Sequence, residues 1–410
     1  MKEKAVLVEF FSIITPDEKS GELSQLTVTA GAEVVSQVFA KTTKRINPGY
    51  YIGRGKAEEI RKLISDTKSN ILILDCDLSP AQQRNLEDLT GVKVVDRTQL
   101  ILDIFARRAR TNEGKLQVEL AQLTYLLPRL TGRGIELSRL GGGIGTKGPG
   151  EQKLEVDRRR IRKRITKLRE EIKEVRKHRA VQRKKRQDTF SAALVGYTNS
   201  GKSTLLNSLT GAKVETENRL FSTLDPTVRK IALPENISMV LIDTVGFIRQ
   251  LPHHLIAAFK ATLEEVTLAD ILLHVIDASS RQRGKQKDVV TEVIRELGSA
   301  DKPVLSVFNK IDLIDEKEKN SLSREFPDCL QISALYKIGF DDLLNKLAVY
   351  IRTERERVKL KIPHDKGGIV SLLHRKGHVF TEEYTPENVL LDVELSHKLS
   401  AELKKYKNKD

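Results

Sequence analysis

A chain of 410 residues is too long for one ordinary hydrophobic core and divides into two to four domains. Hydrophobic residues at 39% and charged residues at 31% suit a globular protein, and no stretch reaches the ~20 apolar residues that cross a bilayer. The formal net charge of +15 is concentrated, since residues 151–187 hold 17 Lys and Arg against 6 Asp and Glu; this points to a polyanionic partner, nucleic acid before anionic membrane.

The first 107 residues alternate strand-like and helix-like segments. KAVLVEFF (4–11), LTVTAG (26–31), NILILDCD (70–77) and VKVVD (92–96) read as strands; GKAEEIRKLISDT (55–67) and SPAQQRNLEDL (79–89) read as helices. Such alternation predicts a small α/β domain with a mainly parallel sheet. The N-terminus carries an acidic residue in a short apolar run and reads as a first strand, not a secretion signal. Cys76 and Cys329 stand alone in apolar settings, which fits core thiols in a reducing cytoplasm. The glycine turn before Lys56 reads either as a phosphate or RNA contact or, at least equally well, as a plain strand-to-helix connection.

Residues 108–187 carry two apolar stripes with heptad-like spacing: Leu116, Leu120, Leu123, Leu127, Leu130, and Ile161, Ile165, Leu168, Ile172, Val175. Steps of four and three keep one helix face apolar, so the two segments predict an antiparallel helical hairpin whose second helix is strongly basic. Pro128 ends or kinks the first helix. Residues 131–150 hold 8 Gly in 20 and predict a flexible basic tip loop. The apolar stripe is consumed by the hairpin, which favours RNA over membrane for the basic face.

From 188 to 354 strands and helices alternate again, and residues 355–410 read as a small α+β domain of no legible role. The third segment opens with an apolar strand, the loop GYTNSGKS (196–203) and a helix. Gly196, Tyr197, Thr198, Asn199, Ser200, Gly201, Lys202, Ser203 and Thr204 place backbone N–H groups and a helix N-terminus where phosphate oxygens are cradled. Lys202 reaches the terminal phosphates and the Ser203 hydroxyl ligates Mg2+. Asp243 follows the strand SMVLI and holds the metal's water shell; Thr244 and Val245 lead to Gly246, where the backbone approaches the γ-phosphate. Asn309, Lys310 and Asp312 form N-K-x-D, in which the Asp carboxylate accepts guanine's two donors. Ser333 and Ala334 end a strand beside the guanine carbonyl. Four motifs in this order specify a P-loop domain for GTP and GDP. Between them LFSTLDPTV supplies two threonines able to close over the metal, Thr223 and Thr227. His253 and His254 read as surface groups and His274 as a strand residue.

With these residues in place the chain resembles the HflX-type GTPases, relatives of the Obg group of translation-factor GTPases. The resemblance spans most of the chain, through GYTNSGKST, FSTLDPT, DTVGF and NKID, and more specifically through NPGYYIGRGK, GKLQVELAQLTYLLPRL and LSRLGGGIGTKGPGE. It implies the switch role for Thr223, with Phe221, Ser222, Leu224 and Asp225 around it, metal ligation by Ser203 and Thr223, and catalysis through Lys202, Thr223 and Gly246. The large ribosomal subunit and its rRNA are the implied partner, with a role in ribosome splitting, rescue or biogenesis. The expected protein is a cytoplasmic monomer when free, without stable membrane insertion, peripheral membrane association being a second location. Phe247 occupies the position where many GTPases carry a water-orienting Gln. The resemblance makes an apolar residue there normal, implies slow intrinsic hydrolysis stimulated by ribosomes, and offers a potassium ion at Asn199 as a substitute charge. The competing reading is an RNA-binding clamp for which hydrolysis is only a release timer.

Overall fold

The computed structural model describes residues 2–11, 21–41, 46–130, 149–184, 189–211, 220–234, 237–249 and 260–408. The chain is a multidomain α/β protein. Its first unit runs β1 (Lys4–Phe11), α1 (Glu22–Thr29), β2 (Glu33–Lys41), α2 (Arg54–Thr67), β3 (Ile71–Leu74), α3 (Pro80–Thr90), β4 (Lys93–Asp96) and α4 (Arg97–Arg108). The four strands form a parallel sheet in the order β2-β1-β3-β4. Strands buried on both faces read as continuous apolar runs, and β1 shows why. Val6 and Val8 enter one core with Ala57, Ile60 and Leu86, while Ala5 and Leu7 enter another with Leu23, Leu26 and Ile101.

One expectation fails here. LTVTAG is not a strand: residues 26–29 are the second half of α1. Their β-branched composition favours a strand, but the Thr27 and Thr29 hydroxyls donate to the carbonyls of Leu23 and Gln25, four residues back, at 2.8 and 2.7 Å. Burial of Leu23 and Leu26 against the sheet then decides for the helix, tertiary packing overriding local propensity. The strand beside β1 is β2 instead.

The hairpin follows as α5 (Asn112–Leu126), a 3₁₀ turn (Leu127–Leu130) and the long α6 (Pro149–Lys184). Thr111 caps α5 by accepting the Gly114 N–H at 3.0 Å. A bidentate pair at 2.7 Å joins Glu119 of α5 to Arg164 of α6. The stripe residues Ile165, Leu168 and Ile172 of α6 are buried, whereas those of the first segment are half-buried. The best-buried face of α5 is a different one, Gln117, Val118, Ala121 and Tyr125, which turns towards the rest of the protein. The glycine-rich expectation for 131–150 falls mostly outside the described residues.

The nucleotide-binding unit comprises β5 (Ser191–Val195), α7 (Lys202–Thr210), β6 (Thr227–Ala232), β7 (Ser238–Asp243), α8 (Lys260–Leu268), β8 (Ile271–Asp277), α9 (Arg283–Glu296), β9 (Val304–Asn309), α10 (Glu316–Glu325), β10 (Leu330–Gln331) and α11 (Phe340–Thr353). Its sheet order is β10-β9-β8-β5-β7-β6, parallel except for the edge strand β6. The C-terminal unit is an antiparallel sheet, β11 (Arg355–Pro363), β13 (Asn388–Ser396) and β12 (His378–Tyr384), packed on α12 (Gly367–Lys376) and α13 (His397–Glu402). The first and third units share a core. Ala193 and Val195 of β5 and Phe247 belong to the same apolar cluster as Ala5, Leu7 and Phe105.

Candidate nucleotide site

The loop between β5 and α7 lies where strands β5, β7, β8 and β9 deliver their C-terminal ends, the usual ligand position in open parallel sheets. Two of its glycines are there of necessity. Gly196 has φ 155°, and a Cβ on it would meet the Val275 carbonyl at 2.3 Å; Gly201 has φ 95°, and its Cβ would meet Asn309 Nδ2 at 2.1 Å. Gly246 is equally confined, since a Cβ there would press on Thr198 at 2.8 Å and on Lys202 Nζ at 3.0 Å. The two loops are laced together: the Thr198 N–H donates to the Phe247 carbonyl at 2.7 Å, and the Phe247 N–H to that of Gly196 at 3.1 Å.

A cavity forms between them, lined by Thr198, Asn199, Gly201, Lys202, Ser203, Thr204, Phe221, Ser222, Thr223, Thr244 and Gly246. Lys202 is buried, its ammonium donating to the carbonyls of Gly196 and Tyr197 at 3.1 and 2.8 Å. Burial pushes its pKa down to about 8, with the nearby Asp243 pulling the other way. Burial raises Asp243, against hydrogen bonding from Ser203 and the charge of Lys202. Ser203 Oγ lies 2.6 Å from Thr223 Oγ1 and donates to Asp243 Oδ2 at 2.6 Å. Asp243 Oδ1, Thr198 Oγ1 and Ser200 Oγ are buried without a hydrogen-bond partner among the described residues. Buried orphans of this kind are costly unless a ligand completes them. Converging hard oxygens from Ser203, Thr223 and Asp243 suit Mg2+, which takes oxygen ligands and completes its octahedron with water and phosphate.

Asn309 is buried and staples the base side to the phosphate side, its Nδ2 donating to the Ser200 carbonyl at 2.8 Å and its Oδ1 accepting the Ala334 N–H at 2.9 Å. The Lys310 ammonium pairs with Asp277 at 2.7 Å. Asp312 is exposed on a 3₁₀ turn, Ile311–Leu313, while Ser333 and Ala334 are buried beside it.

Several of the sequence-selected residues turn their side chains elsewhere. Val245 and Leu224 enter the apolar core, Asp225 bonds to the start of α5, and the Tyr197 hydroxyl donates to Glu22 of α1. Phe247 is fully buried in that core, so it faces no substrate water. His274 is buried in β8, and burial holds its pKa near about 3, so it is a neutral core residue. His253 and His254 lie outside the described residues.

Family models match the chain in three consecutive pieces, an N-terminal region of GTP-binding GTPases over 17–106, their middle region over 108–186, and a 50S ribosome-binding GTPase domain over 191–310. GTPase HflX of Caldanaerobacter subterraneus is 47% identical over 407 residues, covering 99% of this chain and 94% of its own. The chain belongs to the HflX family of GTPases. The Escherichia coli HflX is 43% identical, with 91% of this chain and 88% of that one covered. A solved GTP-binding protein of Sulfolobus solfataricus in complex with GDP is 30% identical, spans 85% of this chain and 98% of its own, and superposes with TM-score 0.44. Members of the HflX family are GTP-binding proteins that hydrolyse GTP, and GTPases use Mg2+, which the oxygen set above accommodates. Among the described residues, no helix of this HflX-family GTPase is long and apolar enough to cross a membrane.

One network gave no local signal in the sequence. Arg97, at the start of α4, is almost fully buried and paired with Glu22 and Asp75, and its guanidinium also donates to the Arg249 carbonyl at 2.8 Å. The Arg249 N–H in turn donates to Tyr197 Oη at 2.9 Å. Burial opposes the charge on Arg97, but the two carboxylates hold its pKa above the usual value. Only proximity in space joins residues 22, 75, 97, 197 and 249.

Proposed function

We propose that this HflX-family GTPase is a slow intrinsic hydrolase that works on the large ribosomal subunit, holding rRNA with its hairpin and coupling that grip to the GTP state, in ribosome splitting, rescue or biogenesis. The observation that carries the reading is the outer surface of α6. Among its described residues Arg159, Arg160, Arg162, Lys163, Lys167, Arg169, Lys173 and Lys177 are exposed, against the carboxylates Glu155, Glu170 and Glu174. A predominantly basic helix face suits a phosphate backbone, whose counterions are released on binding.

In the proposed site Lys202 neutralises the terminal phosphates, Ser203 and Thr223 ligate Mg2+ with Asp243 behind them, and the Gly246 N–H approaches the γ-phosphate. Asp312 reads the base. Positioning and electrostatics dominate phosphoryl transfer, so a buried Phe247 is compatible with turnover. The missing charge is supplied by a potassium ion at Asn199, which lines the cavity. Hydrolysis is then faster in potassium than in sodium, and Asn199→Ala removes the difference; equal rates in the two salts take potassium out of the mechanism. The main test is pelleting with purified subunits in GDP, GTP or a non-hydrolysable analogue. Retention on large subunits with the GTP forms and release with GDP is expected. Indifference to nucleotide, with no stimulation of multiple-turnover hydrolysis by subunits, sinks the proposal.

A further inference from the structure

Asp225 stands two residues after Thr223, yet its carboxylate leaves the phosphate cavity. Oδ2 accepts the N–H groups of Arg110 and Thr111, each at 2.9 Å, and the Thr111 hydroxyl donates to Oδ1. Thr111 is the N-cap of α5, so the acid lies at the positive end of the hairpin's first helix. The approach is close enough to dictate a residue on the other side: a Cβ on Gly114 would come within 2.3 Å of Asp225 Oδ1. Glycine is a poor choice in a helix's first turn unless a neighbour needs the space. The residues around Asp225 are fastened to the same elements. The Phe221 ring meets Phe105 of α4 edge-on at 4.6 Å, and Leu220 and Leu224 share a core with Phe105, Val118 and Ala121. Beyond α5, the Glu119–Arg164 pair passes the connection on to α6.

We propose that Asp225 is a positioning residue that joins the switch threonine to the hairpin, so that closure of Thr223 over the metal and seating of α5 are one event. The proposal rests on the reading of Thr223 as the γ-phosphate-dependent metal ligand. A carboxylate taking three donors at a helix N-terminus fixes the loop one residue beyond Leu224. Release of Thr223 when the γ-phosphate leaves pulls on that anchor, and by linkage a displaced α5 weakens the metal contact.

The test uses the full chain with Mg2+ and compares affinities for GDP and for a non-hydrolysable GTP analogue, together with kcat and KM. Asp225→Ala is expected to weaken the GTP analogue by roughly tenfold, the scale of a lost charge-assisted pair, and GDP by no more than about twofold. Asp225→Asn, which keeps one acceptor oxygen, falls between. Gly114→Ala, on a residue that does not line the cavity, should reproduce the selective loss, and adding it to Asp225→Ala should cost nothing more. Equal losses for GDP and the analogue, or additive effects of the two substitutions, overturn the coupling. If Asp225→Ala does not fold, Asp225→Asn and Gly114→Ala carry the same comparison. Thr223→Ala separates the two ideas. If it weakens the GTP analogue and GDP equally, the metal-ligand reading falls; if it weakens the analogue selectively while the Asp225 and Gly114 variants do not, only the coupling falls.

Discussion

Asp312 projects into solvent while Asn309, three residues earlier, is locked between Ser200 and Ala334. One residue builds the pocket and the other is free to read what enters it. Asp312→Asn should therefore leave folding intact and weaken GTP by ~1–3 kcal/mol in favour of xanthosine triphosphate. A competition assay between the two nucleotides decides it, and unchanged GTP preference refutes the base-reading role. Lys202 gives a pH signature. With its free-protein pKa lowered to about 8, it is charged in free and bound protein below that value. Above it, towards the ordinary lysine range near ~10.4, the free protein loses the proton that phosphate binding must restore. GTP binding at about pH 9 should then take up a proton and weaken as pH rises, as calorimetry in buffers of different ionisation enthalpy measures. The sign for the ligand-free fold is opposite: across the same window the unfolded chain holds more protons, so relief of the buried charge adds stability with rising pH. No proton uptake in the wild type, or the same uptake in Lys202→Arg, removes Lys202 as the source.

At the scale of elements, α6 is an anchored helix with an inner and an outer side. Ile165, Leu168 and Ile172 are buried, and Arg158 is half-buried, so its cations are not interchangeable. Reversing the exposed Arg159, Arg160 and Lys163 together should reduce large-subunit binding and flatten its dependence on salt, each lost phosphate contact removing close to one from the log–log slope. A salt series by pelleting checks this; wild-type binding throughout means that the face is merely solvated. The loop after β7 behaves differently. Phe247 is fully buried, so Phe247→Ala should lower stability by ~3–5 kcal/mol through the cavity it leaves. Phe247→Leu should keep both fold and basal hydrolysis within a few-fold, since no polar group at the reaction centre is lost. A collapse of turnover in the Leu variant, with nucleotide still bound, contradicts that account.

Over the whole molecule, the first sheet and the nucleotide-binding sheet close on one shared core, and the Glu22–Arg97–Asp75 cluster sits at that junction beside Tyr197 and Arg249. Removing the cation takes from buried Glu22 and part-buried Asp75 the guanidinium they share, leaving Glu22 with Tyr197 and Arg249. Arg97→Met should cost ~3–5 kcal/mol, visible as a lower denaturation midpoint. Glu22→Gln, which keeps a hydrogen-bonding partner for Tyr197, should cost less. The reverse order would mean that the cluster does not hold the junction. Coupling between the N-terminal unit and the nucleotide loops thus has a material basis in packing as well as in charge.

The sequence by itself determined the candidate nucleotide site, because its parts are contiguous: GYTNSGKS, DTVG and NKID each carry their own backbone geometry, and glycines at 196, 201 and 246 sit where a Cβ would clash. It also determined β1, β3, β4, α2 and α3, whose periodicity and caps are local, as in the Ser79–Gln82 capping box of α3. Local preference misled at Thr27–Thr29, where packing outweighed it. Tertiary structure decided what α5 does. Its leucine spacing marks a hairpin seam, but the face that lies deepest is that of Gln117, Val118, Ala121 and Tyr125, set against the N-terminal unit. It also decided that Asp225 bonds to Arg110 and Thr111, and that Tyr197 reaches Glu22, 175 residues away. Such contacts leave no period or spacing in the chain, since they depend on how separately built layers meet.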